Sequence, residues 1–296
     1  MKAVIIKERG KASLVDIKEQ AMRPDYIKVK TVAVAVNPTD YHHTAATGLV
    51  GGILGCDLSG IVEEVGKDCK SEVKKGDAVF ENNAEDGAFA EFAMVKDGHI
   101  AKIPEGMSFE EAATFGTGSV IFSLFMAPFG SKTLNSCQTL YMTLKLPLPT
   151  EPTKEPLFIL INGGSSATGT LAIQYAKLSG LTVLTTCSPH NNSLVTSRGA
   201  DAVFNYHDPT CASQIRAYSN NNLHYILDTI CTPSSFKTGS ESFPKQSKEA
   251  LKLVALLPLE GWERTDVDAT VTLAYTTFGE AFAKYGAEFP ANEEHY

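Results

Sequence analysis

Residues 157–176 read Leu157-Phe-Ile-Leu-Ile-Asn162-Gly163-Gly164-Ser165-Ser166-Ala167-Thr168-Gly169-Thr170-Leu-Ala-Ile-Gln-Tyr-Ala176, and this stretch decides the fold. Leu157–Ile161 is an unbroken apolar run of strand length. A turn of small residues follows, and Ala167–Ser179 then carries helical spacing through Leu171, Ile173, Gln174 and Leu178. Such a strand–turn–helix lets backbone pass close to a pyrophosphate, and the helix start offers free N–H groups and a favourable dipole. The strict G-x-G-x-x-G string is not met, because Ser166 and Ala167 stand where glycines are expected. The plainer reading of these glycines is helix–strand packing. A hydrolase nucleophile elbow is the rival on the same spot. Its five residues here, Gly164 to Thr168, end in Thr, whose bulk hinders so sharp a turn, so dinucleotide binding is the favoured reading.

Working outward, the alternation continues. Thr182–Thr186 reads as a strand, Ser188 onward as a helix, Ala202–Tyr206 as a strand, Pro209–Tyr218 as a helix and Tyr225–Asp228 as a strand. Further strands are expected at Leu253–Leu257 and Thr270–Tyr275, with Ser-rich Ser234–Ser247 as a loop. This order predicts an α/β fold with a doubly wound parallel sheet. At the end of the second strand an NAD site usually places an acid for the ribose hydroxyls. The chain has Thr186-Cys187-Ser188-Pro189-His190-Asn191 there. No acid is present to repel a 2′-phosphate, Ser188, His190 and Asn191 can hydrogen-bond one, and Arg198 follows. The pattern favours NADPH over NADH; the alternative for Ser188 and Asn191 is helix capping.

The first part of the chain is different. Lys2–Lys7, Ala12–Lys18, Tyr26–Val36, Leu58–Val65, Ala78–Phe80 and Ala88–Val95 read as short strands punctuated by Gly, Pro and Asp, as in a β-rich barrel or sandwich. Ser108-Phe-Glu-Glu111 is a capping box that opens a helix, and Gln138–Lys145 looks helical before Leu146-Pro-Leu-Pro149. The domains are therefore placed at 1–106 and 107–296.

The 296 residues suffice for two such domains. With 26 basic and 34 acidic residues the net charge is −8, which disfavours nucleic acid as a partner. Charges at Lys7, Glu8 and Arg9 interrupt the first apolar run, so no signal peptide is read. No apolar run is long enough to span a membrane. Six cysteines without a Cys-x-x-Cys pair are expected as reduced thiols in a cytoplasmic protein.

At this point the chain resembles the medium-chain dehydrogenase/reductase superfamily, and in particular its zinc-less fungal branch of ToxD-like proteins and trans-acting enoyl reductases of polyketide pathways. The matching strings are Val36-Asn-Pro-Thr-Asp40, Gly55-Cys-Asp-Leu-Ser-Gly60, Val73-Lys-Lys-Gly-Asp77, Gly87-Ala-Phe-Ala-Glu91, Ile103–Ala113, Leu146–Pro149, Gly163–Gly169, Thr186–Asn191 and Ser197-Arg-Gly-Ala200. The resemblance implies a GroES-like β-rich domain followed by a Rossmann domain. Zinc-dependent relatives carry Cys near Asn37 and Gly-His-Glu where this chain has Gly55-Cys56-Asp57, so no metal is expected.

The resemblance further implies that the Asn-Pro-x-Asp segment faces the reaction. Thr39 and His42 are then candidates to hydrogen-bond ribose or a substrate carbonyl, and Tyr41 to donate a proton; relatives often have Lys at the position of His42. Asp40 is as readily a structural cap. By the same carry-over, Gly163, Gly164, Ser165, Ser166, Ala167 and Thr168 serve the pyrophosphate, Ser188, Pro189, His190 and Asn191 the 2′-phosphate side, and Tyr206 the adenosine end. The implied activity is NADPH-dependent, zinc-independent reduction of an enoyl substrate, small or carrier-bound, in secondary metabolism. A polyketide synthase is the implied partner, and a homodimer through edge strand Thr270–Tyr275 the implied assembly. Quinone reduction and a non-catalytic NADPH-binding relative are the alternatives. Two departures bear on activity. Residues 120–136 read as an insertion, either a genuine loop or translated intron, where relatives bring a substrate- or cofactor-facing Thr. The segment by which relatives return to complete the first domain reads as missing.

Overall fold

A computed structural model describes residues 1–47, 50–82, 86–117, 138–272, 282–284 and 287–289. The expected insertion at 120–136 lies outside the described residues. Two compact units emerge, Met1–Ser136 with Tyr275–Tyr296, and Cys137–Ala274.

The first unit is β-rich. A hairpin pairs β1 (Lys2–Glu8) with β2 (Lys11–Asp16). Next come β3 (Tyr26–Ala35), a single-turn helix α1 (Pro38–His42), β4 (Asp57–Val65), β5 (Ala78–Asn82), β6 (Phe92–Lys96) and β7 (Ile100–Lys102). The strands form an antiparallel sheet in the order β6-β3-β4-β5-β7. Its inner side is a cluster of Ile27, Val29, Leu58, Val62, Val79, Ala93 and Val95, the residues the alternating pattern turns to one face. The edge strand β7 was not read from the sequence, being only Ile100-Ala-Lys102. Helix α2 (Phe109–Ala113) begins with the expected capping box: Ser108 Oγ accepts the Glu111 N–H at 3.1 Å, and Glu111 Oε2 accepts the Ser108 N–H at 3.0 Å.

The second unit alternates β8 (Phe158–Asn162), α3 (Ala167–Leu178), β9 (Thr182–Cys187), α4 (Asn192–Ser197), β10 (Ala202–Asn205), α5 (Cys211–Tyr218), β11 (Tyr225–Asp228), α6 (Pro233–Ser242), β12 (Leu251–Ala255) and β13 (Val267–Val271). All six strands are parallel, in the order β10-β9-β8-β11-β12-β13. Counted from β8 this is 3-2-1-4-5-6, the Rossmann order, whose crevice opens where β8 and β11 diverge toward opposite helices. The strands are near-continuous apolar runs because both faces are covered; Ile159, Leu160, Ile161, Ile226 and Leu227 are fully buried.

One expectation fails here. Ser234–Ser247 is not a loop throughout, since Pro233–Ser242 is α6. Composition misled the reading. Thr232 Oγ1 caps the Ser235 N–H at 3.2 Å, Pro233 occupies the first turn, and Phe236 and Gly239 bury one face against the sheet. The strand expected at Thr270–Tyr275 runs instead over Val267–Val271 at the sheet edge. After the second unit, β14 (Phe282–Lys284) and β15 (Ala287–Phe289) form an antiparallel hairpin within the segment grouped with the first unit. No helix of the described residues is long and apolar enough to cross a membrane.

Candidate active site

The candidate nucleotide-binding end is built at the carboxyl ends of β8, β9 and β11. Gly163 turns at φ +80°, open only to glycine at low cost. A Cβ on Gly164 would collide with the hydroxyl of Thr185, which is fully buried and donates to the Ile161 carbonyl at 2.7 Å. A Cβ on Gly169 would overlap the Gly163 carbonyl oxygen. All three glycines are therefore required for the helix to close on the strand, which is the packing reading of these residues.

Side chains lock the turn further. Thr186 Oγ1 accepts the Gly163 N–H and donates to Asn162 Oδ1, both at 3.1 Å. Thr229 Oγ1 donates to the Asn162 carbonyl at 2.8 Å and meets Ser166 Oγ at 2.9 Å. Ser166 is the N-cap of α3, accepting the Gly169 N–H at 2.9 Å. Its hydroxyl is thus engaged. The N–H groups of Ser165, Ala167 and Thr168 have no acceptor among the described residues. Three donors converging at a helix N-terminus suit a pyrophosphate, so the residues present fit a dinucleotide.

At the end of β9 neither Ser188 nor Asn191 caps a helix through its side chain. Ser188 Oγ instead meets Tyr206 Oη at 3.0 Å. This joins two residues eighteen positions apart that the sequence assigned to the same end of the cofactor. Pro189, His190 and Asn191 form a short 3₁₀ turn, with Pro189 and His190 exposed. Tyr206 is 47% exposed and lies against His207, ring centroids 4.1 Å apart. Arg198 is the exposed C-cap of α4.

In the first unit, Thr39, Tyr41 and His42 share the single turn α1. Thr39 Oγ1 lies 3.4 Å from His43 Nε2, while Tyr41 is 71% exposed with its ring edge-on to His42. Asp40 is buried and its Oδ2 accepts the Asn37 N–H at 2.7 Å, which is the capping role the sequence allowed. Burial raises its carboxyl above the usual range, partly offset by hydrogen bonds from Asn37 and Cys56.

What the sequence did not show is a hub at Asp57. Its Oδ2 accepts the Asn37 side-chain amide at 2.7 Å; its Oδ1 accepts the Thr117 N–H at 2.6 Å and the Thr117 hydroxyl at 2.7 Å. Burial raises the carboxyl from 3.8 to about 6 against these bonds. Glu81, on the neighbouring β5, is 2% exposed, and neither side-chain oxygen has a partner among the described residues. Burial, with the charge of Asp57 second, pushes its carboxyl well above the ordinary value. The sequence reading names none of Thr117, Asp57 and Glu81 as a site candidate. The strand sequences give little signal: β4, Asp57-Leu-Ser-Gly-Ile-Val-Glu-Glu-Val65, carries three acids and β5, Ala78-Val-Phe-Glu-Asn82, one, and nothing along the chain marks which of them are buried. Among the described residues, no group of three or more His, Cys, Asp and Glu is placed to hold a metal ion. Where zinc-dependent relatives place ligands, the Asn37 amide and the Asp57 carboxylate bond each other, so this donor set does not fit a catalytic zinc.

Comparison with known proteins agrees with this layout. Residues 23–105 match the alcohol dehydrogenase GroES-like domain family, and residues 167–248 the zinc-binding dehydrogenase family. The chain is 45% identical to the trans-enoyl reductase TOXD of Cochliobolus carbonum over 289 residues, covering 95% of this chain and 91% of that protein. It is 37% identical to the trans-enoyl reductase ACTTS2 of Alternaria alternata over 303 residues, covering 100% and 82%. Among solved structures, the CurK enoyl reductase superposes with a TM-score of 0.74 at 18% identity, covering 93% of this chain and 81% of that one. A quinone oxidoreductase of Pseudomonas syringae gives 0.71 at 20%, covering 92% and 80%. The mycobacterial Rv1454c complexed with NADPH gives 0.70 at 21%, with the same coverage of 92% and 80%.

Proposed function

The chain belongs to the medium-chain dehydrogenase/reductase superfamily and its trans-enoyl reductases, and on that premise we propose that it is an NADPH-dependent, zinc-independent enoyl reductase. The observation that carries the reaction class is the 45% identity to a trans-enoyl reductase along 95% of the chain. When bound, the cofactor supplies a hydride to the β-carbon of an α,β-unsaturated carbonyl compound, and a proton goes to the α-carbon. The backbone N–H groups of Ser165, Ala167 and Thr168 hold the pyrophosphate, and Gly163 and Gly164 keep that approach clear. Ser188, Pro189, His190, Asn191 and Tyr206 take the 2′-phosphate and adenosine end. Support for NADPH over NADH comes from the acid-free end of β9 and from the uncapping hydroxyl of Ser188, tied to Tyr206. Thr39 and His42 orient the substrate carbonyl, and Tyr41 delivers the α-carbon proton. Alignment of the two reactants is the enzyme's main contribution.

The substrate in this proposal is a carrier-bound enoyl thioester, with a polyketide synthase as partner. A homodimer through β13 and a cytoplasmic location belong to the same proposal; the free thiols of Cys56, Cys69, Cys187, Cys211 and Cys231 suit a reducing compartment. A quinone oxidoreductase shares the fold, which keeps quinones in the test. The experiment is loss of NADPH absorbance with a panel of enoyl thioesters, enones and quinones. Turnover of the thioesters is the expected result. Turnover of quinones alone overturns the enoyl reading, and tight NADPH binding without any turnover makes the chain a non-catalytic relative. Tighter binding of NADH overturns the cofactor assignment.

A further inference from the structure

Asp57 heads β4 at 1% exposure, and its two oxygens are taken by two distant segments of the first unit. One oxygen holds Asn37, whose own N–H is bonded to Asp40 at the start of α1. The other holds Thr117 by both its backbone N–H and its hydroxyl. The approach is close enough that a Cβ on Gly116 would collide with Asp57 Oδ1 and with the Glu81 carbonyl. A threonine hydroxyl has one proton and two lone pairs. With that proton on an ionised Asp57, the oxygen has only lone pairs left to offer.

Resting on the enoyl-reductase reading, we propose that Asp57 is a positioning residue of the active site: it clamps Asn37–His42 to Gly116–Thr117 and engages the Thr117 hydroxyl proton, so that the Thr117 oxygen is left as a hydrogen-bond acceptor only. Protonated Asp57 can itself donate, which frees the threonine proton and undoes this polarity. The acidic groups against Asp57 are Asp40 from α1 and Glu81 from β5; Glu110 and Glu111 of α2 are exposed, and β3 presents Ala35 to it. The two facing carboxyls are both raised by burial, and Asp57 itself changes state at about 6.

The test compares Asp57→Asn with wild type in the full chain. The replacement offers one acceptor oxygen and one N–H₂, and cannot accept from both segments. By hydrogen exchange, peptides covering 33–42 and 109–117 should exchange roughly tenfold faster, with 157–186 unchanged. In NADPH-dependent reduction of an enoyl thioester, kcat should fall about tenfold or more with KM within about threefold. The fall in wild-type kcat below a pH of about 6 should vanish in the variant. Unchanged exchange in either peptide, or kcat within about twofold of wild type, overturns the proposal. If wild type reduces no thioester, the enoyl reading fails and the exchange result alone decides the clamp. Should Asp57→Asn not fold, Thr117→Val keeps the buried carboxylate and removes only the hydroxyl bond. Faster exchange over 109–117 supports the clamp there, and wild-type exchange overturns it.

Discussion

Gly169 and Gly239 lie inside helices of the same unit, α3 and α6, and replacing each by alanine should move stability in opposite directions. Both substitutions gain helix propensity and reduce the freedom of the unfolded chain, together ~1 kcal/mol. At Gly239 the new methyl meets Asn162 Nδ2 and Ile226 Cδ1 at 3.6 Å and Leu253 Cδ1 at 3.7 Å, ordinary contact distances. Gly239→Ala should therefore keep its gain of ~0.5–1 kcal/mol. At Gly169 the methyl would overlap the Gly163 carbonyl oxygen and stand 2.8 Å from the Gly164 Cα. Both are backbone atoms of a turn held by Thr186 and Thr229, so no side chain can rotate away. Helix α3 must shift, at an overpacking cost of ~1–3 kcal/mol, and with it goes much of the Ser166 cap, ~1 kcal/mol more. The net is a loss of ~1–3 kcal/mol, so the two variants should differ by ~2–4 kcal/mol. For a unit of this size that is about 4–16 °C in Tm. Equilibrium unfolding in urea by circular dichroism reads the difference, and NADPH titration of both proteins reads the turn. Gly169→Ala should weaken NADPH binding while Gly239→Ala leaves it unchanged. If Gly169→Ala unfolds at the same urea concentration as Gly239→Ala, the close approach of helix to turn is wrong.

Other outcomes follow from the same geometry. Ser188→Ala and Tyr206→Phe each remove the 3.0 Å hydroxyl pair at the proposed adenosine end. Each should weaken NADPH binding by about 2–10-fold, with NADH affinity nearly constant, measured by fluorescence titration. Asp57 has a folded pKa above its unfolded one, so the stability linked to its neutral form is full below a pH of about 4 and lost as pH rises through about 6. Moving a carboxyl from 3.8 to about 6 corresponds to ~3 kcal/mol, so the stability of Asp57→Asn relative to wild type should rise by up to that amount between the two ends of this window. A flat difference would refute it. Glu81, whose carboxyl burial pushes well above its ordinary value, should tolerate Glu81→Gln to within ~1 kcal/mol, whereas Glu81→Ala opens a cavity and should lose ~2 kcal/mol or more, both by urea unfolding.

Much of the fold was legible because its signals are local. The capping box at Ser108 and Glu111 spans one turn, and both hydrogen bonds form as read. Tyr225–Asp228 was read with its observed ends because four consecutive residues fit a buried parallel strand. Helix α6 was misread because Ser and Thr favour loops in general, while its stability comes from Phe236 and Gly239 packing on a sheet made elsewhere. Strand β7 escaped because three residues carry no period. At the nucleotide end, the sequence named the turn and the end of β9 but could not say which hydroxyls were free. Ser166 turned out to cap a helix, and Ser188 turned out not to.

By itself the sequence determined a β-rich module followed by a Rossmann unit, and the glycine turn at the end of β8, since these rest on periodicity and on residues adjacent in the chain. Only the tertiary structure decided the surroundings of Asp57. Asn37 lies twenty positions before it and Thr117 sixty after it. Whether a carboxylate is a solvated charge or a buried clamp depends on which segments close over it, and that is settled by strand pairing and burial, not by the residues beside it.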